Sequence, residues 1–287
     1  MAGGDVFVSL RMANLGTNDD FEGIGVLAYV SPIALVLFLS ELYHIKPHDS
    51  AKRLYTLLFV NLLFVVASMA KVAIFFLIVP SIVICKIKYN IKISKILLWG
   101  ACLVLFLSVI QLGRDYEKGD NVYKIVVEMF TAYLFAGVPA MDQVLEEGAY
   151  SGLWGESVFN SFYKLLKVLG FDIQFGTGKL FEGSGGYAMV PIPTNVFSCL
   201  YDFYIDFGVT GIAIFGCLTG LYSTTLYRLA QRKHIWALIL YSHIFASLSL
   251  EFFADFIFRM LSSSIQLFFW CYFLYHKSFL KNILNSR

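Results

Sequence analysis

Charged residues are scarce in this sequence, and that scarcity excludes most soluble globular folds. Only 15% of the 287 residues are Asp, Glu, Lys or Arg, against about 25% in a typical soluble domain. Hydrophobic residues make up 58% of the chain, and its mean hydropathy is +0.70. The composition therefore predicts an all-α, polytopic integral membrane protein.

Motifs for metal binding and nucleic-acid binding are also missing. The five cysteines have no CxxC spacing and no neighbouring histidine, so neither a disulfide framework nor a metal site is indicated. The long segment 113–200 carries ten acidic and six basic residues, which is not the charge of a nucleic-acid surface. We expect no cofactor, no metal and no nucleic-acid partner.

Seven apolar segments predict seven membrane helices: 24–42, 54–69, 72–85, 96–112, 203–226, 235–250 and 257–275. Thirteen of the 22 basic residues lie in four short segments: Lys46, Lys52 and Arg53; Lys86, Lys88, Lys92 and Lys95; Arg228, Arg232 and Lys233; Lys277, Lys281 and Arg287. Seven spans place all four on one side, which the positive-inside rule identifies as the cytoplasm.

This orientation predicts which other segments of the chain are external, membrane-spanning or cytoplasmic. Residues 1–23 form an external segment, 24–112 hold spans one to four, 113–200 form a large external loop, 201–275 hold spans five to seven, and 276–287 form a cytoplasmic tail. Because an external N-terminus without a preceding span is unusual, we expect one or more helices to be missing before Met1. Segments 54–69 and 72–85 are short, and the few residues between them predict a tight hairpin or a dipped pair, with Lys71 at its tip.

The external loop contains two amphipathic stretches, 122–138 and 157–169. In the second, Phe159, Phe162, Leu165 and Leu166 are spaced as one apolar helical face, opposite Lys164 and Lys167. Such a helix lies in the membrane interface or covers a cavity. The aromatic and acidic content of the loop is compatible with a carbohydrate ligand.

Ionisable residues converge at the outer boundary of the predicted spans, where isolated charges are costly and a paired cluster around a wet pocket is the usual solution. These residues are Lys71, Arg114, Asp202, Asp206, Glu251, Asp255 and Arg259. The spacing of Asp202 and Asp206 places both on one helical face. A solvated or self-paired turn is the simpler interpretation of Glu251, Asp255 and Arg259, while Lys71 and Arg114 are also compatible with interfacial anchoring.

One stretch resembles a known signature. Thr194-Asn195-Val196-Phe197, followed by Phe203-Tyr204-Ile205-Asp206-Phe207-Gly208 and then Gly211, is similar to the TNVYT…FYxDFGxxG pattern of the Wzy-type oligosaccharide repeat-unit polymerases. These enzymes make O-antigen of lipopolysaccharide and capsular polysaccharide at the bacterial inner membrane. The likeness covers roughly residues 50 to 275, and outside the signature it is one of arrangement.

The resemblance implies glycosyl transfer at the periplasmic face, from a glycan on undecaprenyl pyrophosphate to the terminal sugar of a lipid-linked repeat unit. Asp206 is then the first candidate for the general base and Asp202 the second. Arg114 is the first candidate to stabilise the leaving pyrophosphate. The candidate substrate contacts are Lys71, Arg259, Asn195, Thr194 and Arg11. The implied partners are lipid-linked oligosaccharides, the bilayer, a chain-length regulator and a flippase.

The sequence departs from the family pattern at the hairpin, where a Gly-Ser-Arg element is common and Ser68-Met69-Ala70-Lys71 stands instead. Lysine lacks the bidentate fork of arginine, so Lys71 is a weaker pyrophosphate ligand. Two alternatives stay open: a non-enzymatic transporter of lipid-linked glycan or polysaccharide, and a related O-antigen ligase. No internal repeat supports the transporter, and no histidine precedes Asn195 as in the ligases.

Overall fold

The structure, a computed structural model, describes residues 30–46, 48–68, 71–102, 105, 123, 127, 131, 135–147, 152–174, 188–190, 192–194 and 196–284. Within these residues the chain is mostly helical, as the composition predicts. The helices are α1 (Ser31–His44), α2 (Lys52–Ser68), α3 (Lys71–Tyr89), α4 (Ile93–Cys102), α5 (Gly137–Glu147), α6 (Asn160–Val168), α7 (Leu200–Gln231), α8 (Ile235–Leu248) and α9 (Leu261–Leu284).

Each of the seven predicted apolar segments overlaps one of these helices, α1 to α4 and α7 to α9. In the part of the chain that the structure describes, two helices are long and apolar enough to cross a membrane, over Val72–Tyr89 and Leu200–Gln231. The hairpin prediction is confirmed to the extent that α2 ends at Ser68 and α3 begins at Lys71.

The segment 113–200, predicted to be an external loop, contains more secondary structure than its sequence indicates. Helix α6 confirms the amphipathic stretch 157–169, but α5 and a small antiparallel hairpin, β1 (Ala188–Val190) with β2 (Ile192–Thr194), were not predicted. In the hairpin, Ala188 pairs with Thr194 and Val190 with Ile192. The predicted segment 1–23 and most of the stretch 122–138 lie outside the described residues.

The chain divides into two compact units. The first comprises Met1–Ile93, Thr225–Ala246 and Ser263–Arg287. Its helices α1, α2 and α3 pack together, and the buried Asn61 amide of α2 donates hydrogen bonds to the carbonyls of Ala34 (3.0 Å) and Leu57 (2.8 Å). This satisfies a polar group that would otherwise be costly to bury. At the end of α1, the Lys88 ammonium donates to the Ile45 carbonyl at 2.6 Å.

The second unit comprises Ser94–Thr224 and Ser247–Ser262, and it contains the signature residues. Its core has two apolar clusters. One joins α5 to the start of α7 through Met141, Val144, Tyr201 and Ile205. The other is aromatic and includes Val158, Phe203, Phe215, Phe207 and Phe258. Both clusters use side chains from the first turns of α7, so these turns are fixed by the unit's core.

Helix α7 bends sharply at Gly208, whose φ of 65° and ψ of −156° are not helical. That combination is essentially restricted to glycine. After the bend, the backbone packs so closely that a Cβ atom on Gly211 would lie 2.4 Å from the Phe203 carbonyl oxygen. The two glycines of the signature therefore have a local structural reason: one permits the bend and the other permits the close approach that follows it.

Candidate functional site

Asp206 joins the first segment of α7 to the turn that leads into α6. Its carboxylate accepts hydrogen bonds from the backbone N–H of Ser157, at 3.0 and 3.2 Å to the two oxygens, and from that of Val158 at 2.8 Å. The Asp206 side chain is half-buried. Backbone amides before a helix lack partners within the helix, so a carboxylate is well placed to satisfy them.

The turn itself is held by its own contacts. The Glu156 carboxylate accepts from the Leu153 N–H at 3.1 Å, and the Tyr163 hydroxyl donates to the Trp154 carbonyl at 2.6 Å. Gly155 has a φ of 69°, and a Cβ atom there would lie 2.5 Å from the Phe159 ring. The amides that meet Asp206 are thus presented by a fixed turn.

Asp202, one helical turn earlier, has a different environment. One of its carboxylate oxygens accepts a hydrogen bond from Arg259 Nη2 at 2.8 Å. The Asp202 side chain is only 1% exposed, whereas the Arg259 side chain is 46% exposed. The pair therefore joins a half-exposed arginine side chain to a buried carboxylate.

Arg259 is positioned by the segment between α8 and α9. Within it, the buried Asp255 carboxylate accepts from the N–H groups of Ile257 (2.9 Å) and Phe258 (3.1 Å), which folds the backbone into a turn. The Phe258 ring packs edge-on against Phe203 and Phe215. From the other side, the Ser161 hydroxyl of α6 donates to the Arg259 carbonyl at 3.1 Å.

Glu251 lies at the start of the same segment and contacts the residue that precedes α7. The Cys199 N–H donates to the Glu251 carbonyl at 2.9 Å, and the Cys199 thiol is hydrogen-bonded to the Glu251 carboxylate. Burial, reinforced by the nearby Asp255, raises the pKa of Glu251 to about 8. Burial and the Glu251 carboxylate raise the pKa of the Cys199 thiol to about 12.

Three carboxyl groups and one guanidinium therefore share this region: Asp202, Glu251, Asp255 and Arg259. Burial also raises the pKa of Asp255. One oxygen of each of the three carboxyl groups is buried and has no hydrogen-bond partner among the described residues. Burial therefore favours the protonated forms of Glu251 and Asp255, and the neighbouring carboxylates reinforce this effect at Glu251.

The structure brings together three of the eight candidate residues, Asp202, Asp206 and Arg259, in the second unit. Thr194 lies in β2 of the same unit, is 4% exposed, and accepts the Val196 N–H on its hydroxyl at 3.2 Å. The predictions for Arg11, Arg114 and Asn195 concern positions outside the described residues, and Lys71 is described by its backbone alone. Their roles stay predictions.

One contact of the site differs from the simpler interpretation of the sequence. The guanidinium of Arg259 bonds to Asp202 across the fold, whereas a solvated or self-paired turn is the simpler expectation. Asp202 and Asp206 lie one helical turn apart on α7, and their carboxylates bind different partners. The sequence around Asp206 does not indicate that its partners are backbone amides, because nearly every residue carries such a group.

No metal ligand set was found among the described residues, in the sense of three or more His, Cys, Asp or Glu side chains arranged around one point. The arrangement instead offers a half-exposed arginine side chain bonded to Asp202, and a half-buried carboxylate, Asp206, one helical turn after Asp202. Such a set of groups suits a ligand in which an anionic group is linked to a polar one. No family model matches this chain, and no curated protein or solved structure matches it either.

Proposed function

We propose that the chain crosses a membrane seven times, through α1 to α4 and α7 to α9, with the second unit's loop on the outer face. Exposed apolar side chains on α7 support this placement, since Val209 is 73% and Leu221 is 62% exposed. A long apolar helix in a soluble core would bury such residues, whereas lipid provides them with an apolar environment. The distribution of lysine and arginine supports the orientation.

We further propose that the protein is a membrane glycosyltransferase of the Wzy type, which polymerises lipid-pyrophosphate-linked oligosaccharide repeat units at the periplasmic face of the bacterial inner membrane. The observation that carries the proposal is the Arg259–Asp202 pair next to Asp206. The Arg259 side chain is 46% exposed, and its guanidinium is bonded at 2.8 Å to a buried carboxylate, so it is available to meet a further anion. The glycan donor supplies that anion as its pyrophosphate.

The three residues take separate roles in this mechanism. Asp202 is 1% exposed and is bonded to Arg259, so it orients the guanidinium rather than meeting a sugar. Arg259 stabilises the negative charge that develops on the leaving lipid pyrophosphate. Asp206, the more accessible of the two acids, takes the proton of the acceptor hydroxyl. Arg114 and Lys71 remain candidates for further pyrophosphate contacts, and Asn195, Thr194 and Arg11 for sugar contacts.

The bonds balance without a cofactor. The acceptor oxygen forms a bond to the anomeric carbon of the donor glycan, and the bond from that carbon to the pyrophosphate oxygen breaks. The hydroxyl proton moves to Asp206, and the lipid pyrophosphate leaves with the electron pair of the broken bond. The donor is already activated by its pyrophosphate, so no nucleotide sugar is required.

The decisive experiment is complementation of a polymerase-null strain, with glycan length read as a ladder on a gel. We expect the wild-type protein to produce a ladder beyond one repeat. Arg259→Ala should shorten or abolish the ladder, and Arg259→Lys should restore it only in part, because lysine does not form a bidentate contact. Arg232→Ala, at an exposed arginine remote from the signature, is the control.

Two outcomes would contradict the proposal at different levels. A wild-type protein that reaches the membrane but yields only single repeats would overturn polymerisation. It would favour the transporter, which would be tested by uptake of a lipid-linked glycan into vesicles. A full ladder from Arg259→Ala would leave polymerisation intact but remove Arg259 from the mechanism.

A further inference from the structure

Helix α6 exposes an apolar face that nothing in the second unit covers among the described residues. Phe162, Leu165 and Leu169 are 56%, 54% and 66% exposed, and they recur at intervals of three and four residues. Phe159 and Leu166, predicted to lie on the same face, are instead partly buried. Three exposed apolar residues in a row along one short helix require an apolar environment outside the unit.

The charges of α6 indicate which environment this is. The sequence from Asn160 to Val168 contains no acidic residue. Lys164 and Lys167 are exposed, and at 100° per residue they lie on the side opposite Leu165 and Leu169. A short helix with an apolar stripe, a cationic opposite side and no acid matches the pattern of helices that lie flat in a membrane surface.

The apolar surface also continues from α6 to a candidate span. Trp154, 73% exposed, stacks on Phe159 with ring centroids 6.0 Å apart and meets Phe207 of α7 at 5.0 Å. Val209, two residues further along α7, is exposed to the same degree. Tryptophan at the junction between an apolar and a polar surface is typical of membrane interfaces.

We propose that α6 lies in the outer membrane interface, with Phe162, Leu165 and Leu169 among the acyl chains and Lys164 and Lys167 on the aqueous side. The partner is the lipid bilayer itself. Since the Ser161 hydroxyl of α6 bonds to the Arg259 carbonyl, the helix fixes the depth of Arg259 at the level of lipid headgroups. The proposal rests on the membrane placement of α7 and not on polymerase activity.

Depth-dependent fluorescence quenching tests this. Trp99, Trp154, Trp236 and Trp270 are changed to phenylalanine, and a single tryptophan is introduced as Leu165→Trp or, for the adjacent residue on the other side, Lys164→Trp. Ile214→Trp, at an exposed apolar position of α7, reports the span itself. Each variant is reconstituted into vesicles of phosphatidylethanolamine and phosphatidylglycerol that contain lipids brominated either near the headgroup or near the chain end.

We expect Leu165→Trp to lose most of its fluorescence with lipid brominated near the headgroup, and Lys164→Trp to lose little with either lipid. Ile214→Trp should be quenched by both kinds of lipid or best by the deeper one. Quenching of Ile214→Trp without quenching of Leu165→Trp would overturn the proposal and favour a cavity-covering helix. Absence of quenching in both would overturn the membrane placement as well, whereas a missing glycan ladder would affect neither.

Discussion

Asp202 and Asp206 show how two identical residues four positions apart acquire different chemistry. Asp202 is buried and bonded to Arg259, while Asp206 is half-buried and accepts hydrogen bonds from two backbone N–H groups. The resemblance to the polymerase signature makes Asp206 the first candidate for the general base. The structure shows a structural role for this carboxylate, because its amide contacts fix the turn before α6. Any substitution of Asp206 therefore has a structural effect that must be separated from a catalytic one.

Two substitutions of Asp206 separate these effects. Asp206→Ala leaves the Ser157 and Val158 amides without this acceptor and should destabilise the protein by about 1–3 kcal/mol. Asp206→Asn keeps a carbonyl acceptor, so it should lower the melting temperature much less, yet lower polymerisation about 10²-fold or more because an amide takes no proton. Thermal unfolding in detergent and the glycan ladder measure the two quantities. An Asp206→Asn protein with wild-type glycan length would remove Asp206 as the base.

The pKa of Glu251 makes stability depend on pH. Burial raises its pKa from 4.5 to about 8, so between these values the folded protein holds a proton that the unfolded chain has released. Unfolding free energy should therefore fall as pH rises through this range, by at most about 1.4 kcal/mol per pH unit. Below the range both states are protonated, and the full contribution is present.

The measurement compares melting temperatures of wild-type and Glu251→Gln proteins in detergent from about pH 5 to pH 8. Glutamine cannot titrate, so the decline of the melting temperature with pH should be shallower in this variant. Glu146→Gln, at an exposed residue of α5, should keep the wild-type slope. Equal slopes in wild-type and Glu251→Gln would show that Glu251 is not the group that retains the proton.

At the scale of elements, the bend in α7 makes a prediction about the two signature glycines. Gly208→Ala forces a side chain into a backbone conformation that costs about 1–3 kcal/mol. Gly211→Ala places a Cβ atom 2.4 Å from the Phe203 carbonyl and 2.6 Å from the Phe207 Cβ atom. Overpacking of this kind typically costs about 1–3 kcal/mol. Both variants should have lower melting temperatures in detergent and shorter glycans.

The same helix supplies the controls. A Cβ atom on Gly216 or Gly220 would meet nothing within 4 Å, and alanine is the better helix former. Gly216→Ala and Gly220→Ala should therefore match the wild-type protein in melting temperature or exceed it. If all four substitutions behaved alike, the bend at Gly208 would not be a stable feature of the folded chain.

The helices could be predicted from the sequence because long apolar segments leave the backbone few alternatives in lipid. The bend at Gly208 could not, since glycine inside an apolar helix is compatible with a straight helix. Helix α5 and the β1–β2 hairpin were missed for a different reason. Their apolar residues are few, and they are ordered by contacts such as the Gln143 side chain, which accepts the Met189 N–H at 3.3 Å. Pairing across the chain decides such elements.

The candidate site could likewise be predicted only in part from the sequence. Its residue types could be predicted, because charge at the end of an apolar helix is costly and demands partners. The pairing of Asp202 with Arg259 could not be predicted, because the two residues are 57 positions apart in the sequence. Several cations were equally plausible before the fold was known. Asp255 fixes the turn that presents Arg259, and nothing in its local sequence distinguishes that role from a solvated carboxylate.

For the whole molecule, the sidedness of the loops joins the separate proposals, because Arg259 and Asp206 can act on an exported glycan only from the outer face. We expect Gly170→Cys, in the large loop after α6, to react with a membrane-impermeant maleimide in intact spheroplasts. Lys92→Cys, between α3 and α4, and Arg232→Cys, between α7 and α8, should react only after permeabilisation, since basic loops remain in the cytoplasm.

Each cysteine is introduced into a background without the five natural cysteines, and Cys199 is replaced by serine to keep a donor to Glu251. Labelling of Arg232→Cys in intact spheroplasts would show that the C-terminal end of α7 lies outside, contrary to the proposed orientation. The carboxylates at its start would then face the cytoplasm, where the lipid-linked glycan has not yet been exported.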